Sequence, residues 1–211
     1  MTEKTARIHR LRLAVELVFL ALFILLFVKG AIERWLVVFA AGAIASLFFG
    51  RIYCGWICPM NTLFRPLAWL KGKLSLRSFR TPKFFALAGM RFVFLALIMA
   101  SMLVMKKSGR DLPVPALIAG ISLLVTAFFE EALWHNVICP YGSILSLTSR
   151  LSKRGMNVSE PECIACGKCQ KVCPVYALDT LGTKKRQIRK QDCLTCHACA
   201  EVCPTDAIEY R

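Results

Sequence analysis

CIACGKCQKVCP, residues 163–174, and CLTCHACAEVCP, residues 193–204, share one spacing, C-x2-C-x2-C-x3-C-P. Three cysteines set three apart form a tight loop whose sulfurs converge on one cuboidal cluster, and the fourth cysteine of such a run ligates the other cluster. The spacing predicts two [4Fe–4S] clusters. Cluster one takes Cys163, Cys166, Cys169 and Cys203; cluster two takes Cys193, Cys196, Cys199 and Cys173. A single C-x2-C pair would also suit zinc, but two full copies ending in Cys-Pro do not. His197 falls inside the second run, beside the cluster or exposed, because four cysteines already complete the ligand set.

Exchange of the fourth ligand stitches the two runs together, so residues 151–211 need no large apolar core; ligation supplies the folding energy. They read as a small α+β domain of the two-cluster bacterial ferredoxin kind. VYALDTLG (175–182) and TDAIEY (205–210) each suggest a short helix and then a strand. KKRQIRK (184–190) carries five positive charges, expected on a hairpin. It is a solvated loop, a contact to anionic lipid or a surface steering an acidic redox partner.

Ahead of Arg150 the chain changes character. The whole is 56% hydrophobic with 28 Lys+Arg against 13 Asp+Glu, and its mean hydropathy is +0.54. The positive excess lies beside apolar runs, which points to membrane topology and away from nucleic acid. Eleven cysteines, an odd number, fit ligation better than disulfides. Four runs are long enough to cross about 30 Å of hydrocarbon as helices: 13–29, 35 to about 53, 84–105, and 114 to about 134. The first is expected to stay uncleaved, and Arg51 to snorkel from the end of the second. Residues 1–150 thus read as an α-helical domain with four transmembrane helices. The loop 51–83 holds Arg51, Arg65, Lys71, Lys73, Arg77, Arg80 and Lys83, and the N-terminal arm Lys4, Arg7, Arg10 and Arg12. The short opposite connections hold Lys29 and Arg34, then Lys106, Lys107 and Arg110. That bias puts both termini, and the cluster domain, in the cytoplasm of a multi-pass protein of the bacterial or archaeal inner membrane. Glu16 and Arg91 lie in the cytoplasmic halves of the first and third runs; charge there is costly and usually paired, so they form a candidate ion pair.

The membrane half also repeats. FFGRIYCGWICPMNTL (48–63) aligns with FEEALWHNVICPYGSI (129–144), matching Cys58-Pro59 with Cys139-Pro140 and Cys54 with His135. A duplicated hairpin would set Cys54, Cys58, His135 and Cys139 at one membrane level. Three readings stand: small residues ending a helix before proline, a redox thiol group, or ligands to a further metal or cluster.

Four apolar runs, CGWICP after the second, ICPYG after the fourth and a C-terminal double cluster motif together resemble the membrane-bound ferredoxin-type proteins of the NapH/MauN kind, over nearly the whole chain. The resemblance implies a quinol dehydrogenase membrane component of periplasmic nitrate reductase or methylamine utilisation systems. It would pass electrons from the quinone pool through a partner ferredoxin, cytochrome or oxidoreductase subunit. In that pattern both helix ends carry C-x3-C-P; here the second has His135 in place of its first cysteine, which excludes a symmetrical pair of thiol pairs. The expected role is an electron-transfer subunit more than a free-standing enzyme. The alternative is an accessory factor serving maturation or redox sensing. A transporter is disfavoured because the runs hold few polar groups.

Overall fold

Helix α1 (Glu3–Val28) runs unbroken through the first apolar stretch and turns at Gly30, whose φ of +66° suits glycine. The structure, a computed structural model, describes residues 3–75, 78–81, 89–107 and 114–211. A turn of 3-10 helix at Ile32–Arg34 leads into α2 (Trp35–Phe49). The later helices of this half are α3 (Pro59–Lys73), α4 (Met90–Lys107), α5 (Val114–Phe128), a single turn α6 (Glu131–Leu133) and α7 (Pro140–Thr148). Helix α2 lies against α7, α3 against α1 and α5, and α4 against α7.

These helices are apolar outside and polar within. Leu17, Val18, Val37, Ile44, Leu97, Leu103 and Leu124 are exposed, whereas Ser46, Ser122 and Thr126 are buried. The buried hydroxyls bond to carbonyls of their own helices, as Ser122 Oγ does to Ala119 at 2.7 Å. Large exposed apolar surface with satisfied hydroxyls inside the helices is the pattern of a protein in lipid. The chain associates with a membrane. The interior is held by aromatics: Trp35 donates to the Tyr53 hydroxyl at 2.8 Å, Phe23 meets Trp35 edge-on at 5.1 Å, and Phe39 packs on Tyr141 at 4.5 Å.

Among the described residues two helices, Glu3–Val28 and Ile32–Phe49, have the length and apolar character to cross a membrane, while Met90–Val104 and Val114–Phe128 are shorter. The first residues of the expected third run, 84–88, and the loop cations Arg77, Lys83 and Arg110 lie outside the described residues. The fourth run stops at Phe128, short of Trp134. Its backbone turns aside there to bond Phe79, with Phe79 N donating to Phe128 O at 2.9 Å and Glu130 N to Phe79 O at 3.2 Å. The segment expected as a basic loop is largely helix: α3 begins where Pro59 supplies a ready-made first turn.

The C-terminal part is of the ferredoxin type. Strand β1 (Met156–Val158) pairs antiparallel with β4 (Ile208–Tyr210), and β2 (Leu178–Thr180) with β3 (Arg186–Ile188). Two one-turn helices, α8 (Lys168–Lys171) and α9 (Ala198–Glu201), carry the third cysteine of each run. The expected helices after each Cys-Pro are absent, and the chain passes straight into strands. The halves repeat at an offset of thirty residues down to the backbone: Ala165 and Thr195, Gly167 and His197, and Tyr176 and Asp206 all have positive φ. KKRQIRK lies on the β2–β3 hairpin and is tied inward, Arg189 to Asp192 at 3.0 Å and Lys190 to the Lys153 carbonyl at 3.1 Å.

Candidate metal centre

Each left-handed residue bends the cysteine loop back upon itself, so that three sulfurs face inward. Cys163, Cys166, Cys169 and Cys203 line one small cavity, walled by Val158, Ile164 and Ile208. Cys173, Cys193, Cys196 and Cys199 line a second, walled by Met156, Val175 and Leu194. In both, the fourth cysteine comes from the other run. Backbone N–H groups point at the sulfurs, from Ala177 to Cys173 at 3.3 Å and from Thr195 to Cys193 at 3.4 Å. Burial pushes the Cys193 thiol up to about 12, so metal binding there must displace a proton. Among the described residues no three His, Cys, Asp or Glu side chains gather closely enough to share one metal ion. Four sulfurs spread around a cavity suit a cluster better than zinc. His197 takes the left-handed position that glycine holds in the first run, and its ring stands edge-on to Trp56 at 5.9 Å.

The helix-end repeats are as regular. Each is a π-helical turn, Tyr53–Ile57 and Trp134–Ile138, followed by an extended cysteine and a proline-led helix. Cys58 (φ −66°, ψ 118°) and Cys139 (φ −64°, ψ 115°) have nearly the same backbone, because a following proline disfavours helical geometry. Their amides close the turns, to Tyr53 O at 2.9 Å and Trp134 O at 2.8 Å. Single π-turns are frequent at functional sites. Cys54, Cys58, Cys139 and His135 are all buried, and no disulfide joins any cysteine. Cys58 Sγ lies 3.6 Å from Met60 Sδ, and Cys139 Sγ accepts from Gly142 N at 3.3 Å. Burial pushes Cys139 up to about 12, with the Cys54 thiol adding to it; Cys58 is raised by burial and by both neighbours. Cys58 and Cys139 are thus held as thiols by burial, with Cys54 buried beside them. His135 packs edge-on to Phe64 at 5.5 Å with Nε2 unpartnered, and burial followed by the Arg51 charge lowers it to about 3. It is a neutral imidazole.

The structure corrects the expected Glu16–Arg91 pair. Glu16 binds Arg12 at 2.9 Å and Arg65 of α3 at 3.1 Å, while Arg91 binds Asp192 at 3.0 Å and Ser146 Oγ at 2.6 Å. An unforeseen helix, α3, and the cluster domain each bring a nearer partner. Removing one member of a buried pair strands the rest. Glu16→Gln should cost about 3–5 kcal/mol, read as a lowered thermal midpoint of the detergent-purified protein.

Sequence reasoning missed the contact between the two halves. Leu194 and Thr195 sit directly on Gly55, where a Cβ would stand 2.1 Å from Leu194 O. Trp56 Nε1 donates to Thr195 O at 3.0 Å, Arg12 Nε to Gly55 O at 2.9 Å and Asn136 Nδ2 to Val175 O at 2.9 Å. Arg12 also bonds the Cys196 carbonyl. Arg51, expected to snorkel, is fully buried and reaches Asp192 O at 3.4 Å. The one legible signal was an arginine and a glycine set inside an apolar, cysteine-bearing stretch.

Comparison with known proteins falls on the same segments. A 4Fe-4S binding domain family matches residues 33–77 and again 112–159, one helix-end repeat in each, and a 4Fe-4S dicluster domain family matches 156–210. The ferredoxin-type protein NapH of Haemophilus influenzae is 32% identical over 155 residues, 63% of this chain and 52% of that one. The methylamine utilization ferredoxin-type protein MauN of Methylobacillus flagellatus is 28% identical over 148 residues, 61% and 50% of the two chains. YccM of Escherichia coli, for which an electron-transport role is proposed, is 28% identical over 154 residues, 62% and 43%. The chain spans about half the length of these relatives. No solved structure matches.

Proposed function

The chain resembles the ferredoxin-type proteins of the NapH/MauN kind, and from that premise we propose that it is an integral membrane relay moving electrons between the quinone pool and a partner redox protein. Its relatives NapH and MauN are named ferredoxin-type proteins, and the chain itself matches 4Fe-4S domain families. Residues 1–150 cross the membrane four times, both termini cytoplasmic, and residues 151–211 hold two [4Fe–4S] clusters. Cys163, Cys166, Cys169 and Cys203 hold the first; Cys193, Cys196, Cys199 and Cys173 hold the second. Iron–sulfur clusters supply one-electron transfer; the chain sets where those electrons enter and leave.

The observation that carries this reading is the seating of the second cysteine run on the helix-end repeats, through Gly55, Trp56 and Asn136. It supports a second cluster held against the membrane half, while Cys166 of the first run is exposed. A cavity of about 430 Å³ adjoins Cys173 where α3 and α5 meet the cluster domain, walled by Phe64, Leu67 and Phe129 with Lys71 and Glu131. That is the size of a small-molecule site and supports a quinone reaching the second cluster. Anaerobic membranes given a hydroquinone analogue should show cluster reduction by electron paramagnetic resonance. Clusters that dithionite reduces and no hydroquinone does would remove the quinone from the reading.

Cys54, Cys58, His135 and Cys139 serve this relay either as ligands of a further cluster or as redox thiols. Iron analysis of Cys54→Ser separates the two. Two cubane clusters contain about eight irons. A wild-type content near eight that Cys54→Ser retains makes the site a thiol group; a higher wild-type content that the variant loses makes it a ligand set.

A further inference from the structure

Arg51 is fully buried at the junction of the two halves, and among the described residues no salt bridge joins it to a carboxylate. Its contacts are long and neutral: Nη2 to Cys54 Sγ at 3.7 Å and to His135 O at 3.4 Å, Nη1 to Asp192 O at 3.4 Å. Nε has no partner. The neighbouring arginines each reach a carboxylate: buried Arg12 and partly buried Arg65 share Glu16, and partly buried Arg91 pairs with Asp192. The second repeat has Ala132 at the corresponding position, so the charge belongs to one side of the duplication. Space is kept for it: a Cβ on Gly142 would stand 2.9 Å from Arg51 Nη2.

A guanidinium keeps its proton in proteins. Removing it from water costs several kcal/mol unless an anion answers it. Three long contacts to a thiol and two carbonyls do not answer it. What lies next along the chain from Asp192 is Cys193, whose sulfur faces the second cavity with Cys173, Cys196 and Cys199. Thiolates holding a cluster are the anions within reach.

We propose that Arg51 is the fixed counter-charge of the second cluster, stabilising its reduced state and joining the Cys54 pocket to it electrostatically. The inference rests on the cluster assignment under the proposed function. A positive charge in a low-dielectric site favours whichever state carries one more electron, and net charge near a cluster is one of the levers on its potential. Arg51 is thus a positioning residue for electron transfer, acting through the cluster and touching no substrate.

The test is a potentiometric titration of the full-length, detergent-purified protein, followed by electron paramagnetic resonance. Arg51→Gln keeps donors and loses charge; Arg51→Lys keeps charge and loses the fork. The second cluster's midpoint should fall in Arg51→Gln and stay near wild type in Arg51→Lys, with the first cluster's midpoint fixed in both. An unchanged midpoint in Arg51→Gln, or equal falls in both variants, overturns the proposal. Arg51→Met is the second charge-free variant. If neither charge-free protein holds both clusters while Arg51→Lys does, the charge is structural and the tuning role is likewise overturned. A wild-type protein lacking a second cluster signal fails one step earlier, at the cluster assignment itself.

Discussion

Cys173→Ser should abolish the cluster of the second cysteine run and spare that of the first, although Cys173 belongs to the first run in sequence. Its sulfur lines the cavity of Cys193, Cys196 and Cys199, while Cys163, Cys166 and Cys169 are completed by Cys203. Serine offers a hard oxygen where the cluster takes a thiolate. The expected result is loss of about four of eight cubane irons and of one of two resonance signals. Cys203→Ser should remove the other signal. The structural penalty follows from how little else holds this part: its own core is Met156, Cys169, Leu178, Ile188, Cys199, Ala200 and Ile208, and ligation supplies the folding energy a larger core would give. Cys173→Ser should also loosen the junction, because Val175, two residues on, accepts from Asn136. Loss of the first run's signal alone would refute the exchange of fourth ligands.

The shape of the cysteine loops was legible because its information is local: a spacing of three sets sulfurs around one cavity whatever surrounds them. The duplicated helix ends were legible for the same reason, since a proline fixes the preceding cysteine without outside help. What the sequence hid depends on contacts between distant segments. Arg65, Lys71 and Lys73 made α3 look like a loop, yet Arg65 pairs with Glu16 and Lys71 donates to carbonyls, including Phe129 O at 3.3 Å. Glu16 and Arg91 sit at like depths in their runs, which made them look like partners. Glu16 instead meets Arg12 of its own helix and Arg65 of the unforeseen helix α3, and Arg91 meets Asp192 because the docking of the ferredoxin-type part was unforeseen. Arg51 stood at the end of an apolar run, where a long side chain ordinarily reaches water. Only the packing of the cluster domain over that end turns it into a buried cation. The fourth run was overextended because Ala132, Leu133 and Trp134 resume the apolar pattern after Glu130 and Glu131, although the backbone leaves the helix there and Glu130 N bonds Phe79 O.

Gly55→Ala should separate the two halves while leaving both cysteine runs intact. The added Cβ would stand 2.1 Å from Leu194 O and 3.2 Å from the Thr195 carbonyl carbon, and both are backbone. Neither side can yield cheaply. Gly55 is inside the π-turn that carries Cys54, and Leu194 lies between two cysteines of one loop. Overpacking in a core costs typically 1–3 kcal/mol; backbone against backbone at this separation belongs at the top of that range, about 3 kcal/mol. That is roughly a hundredfold shift towards the undocked form. On the proposed assignment both ferredoxin-type ligand sets lie within residues 151–211, so the iron they hold should be retained. Trp56 should lose its bond to Thr195 O and shift its fluorescence to the red, and the chain near Ser152–Gly155 should become open to protease. Reduction by a hydroquinone analogue should slow while reduction by dithionite does not, since only the first route crosses the junction. Gly72→Ala is the control, because a Cβ there meets nothing within 4 Å. If Gly55→Ala behaves as Gly72→Ala does in all four measurements, the seating of Leu194 on Gly55 is not what couples the cluster domain to the membrane half.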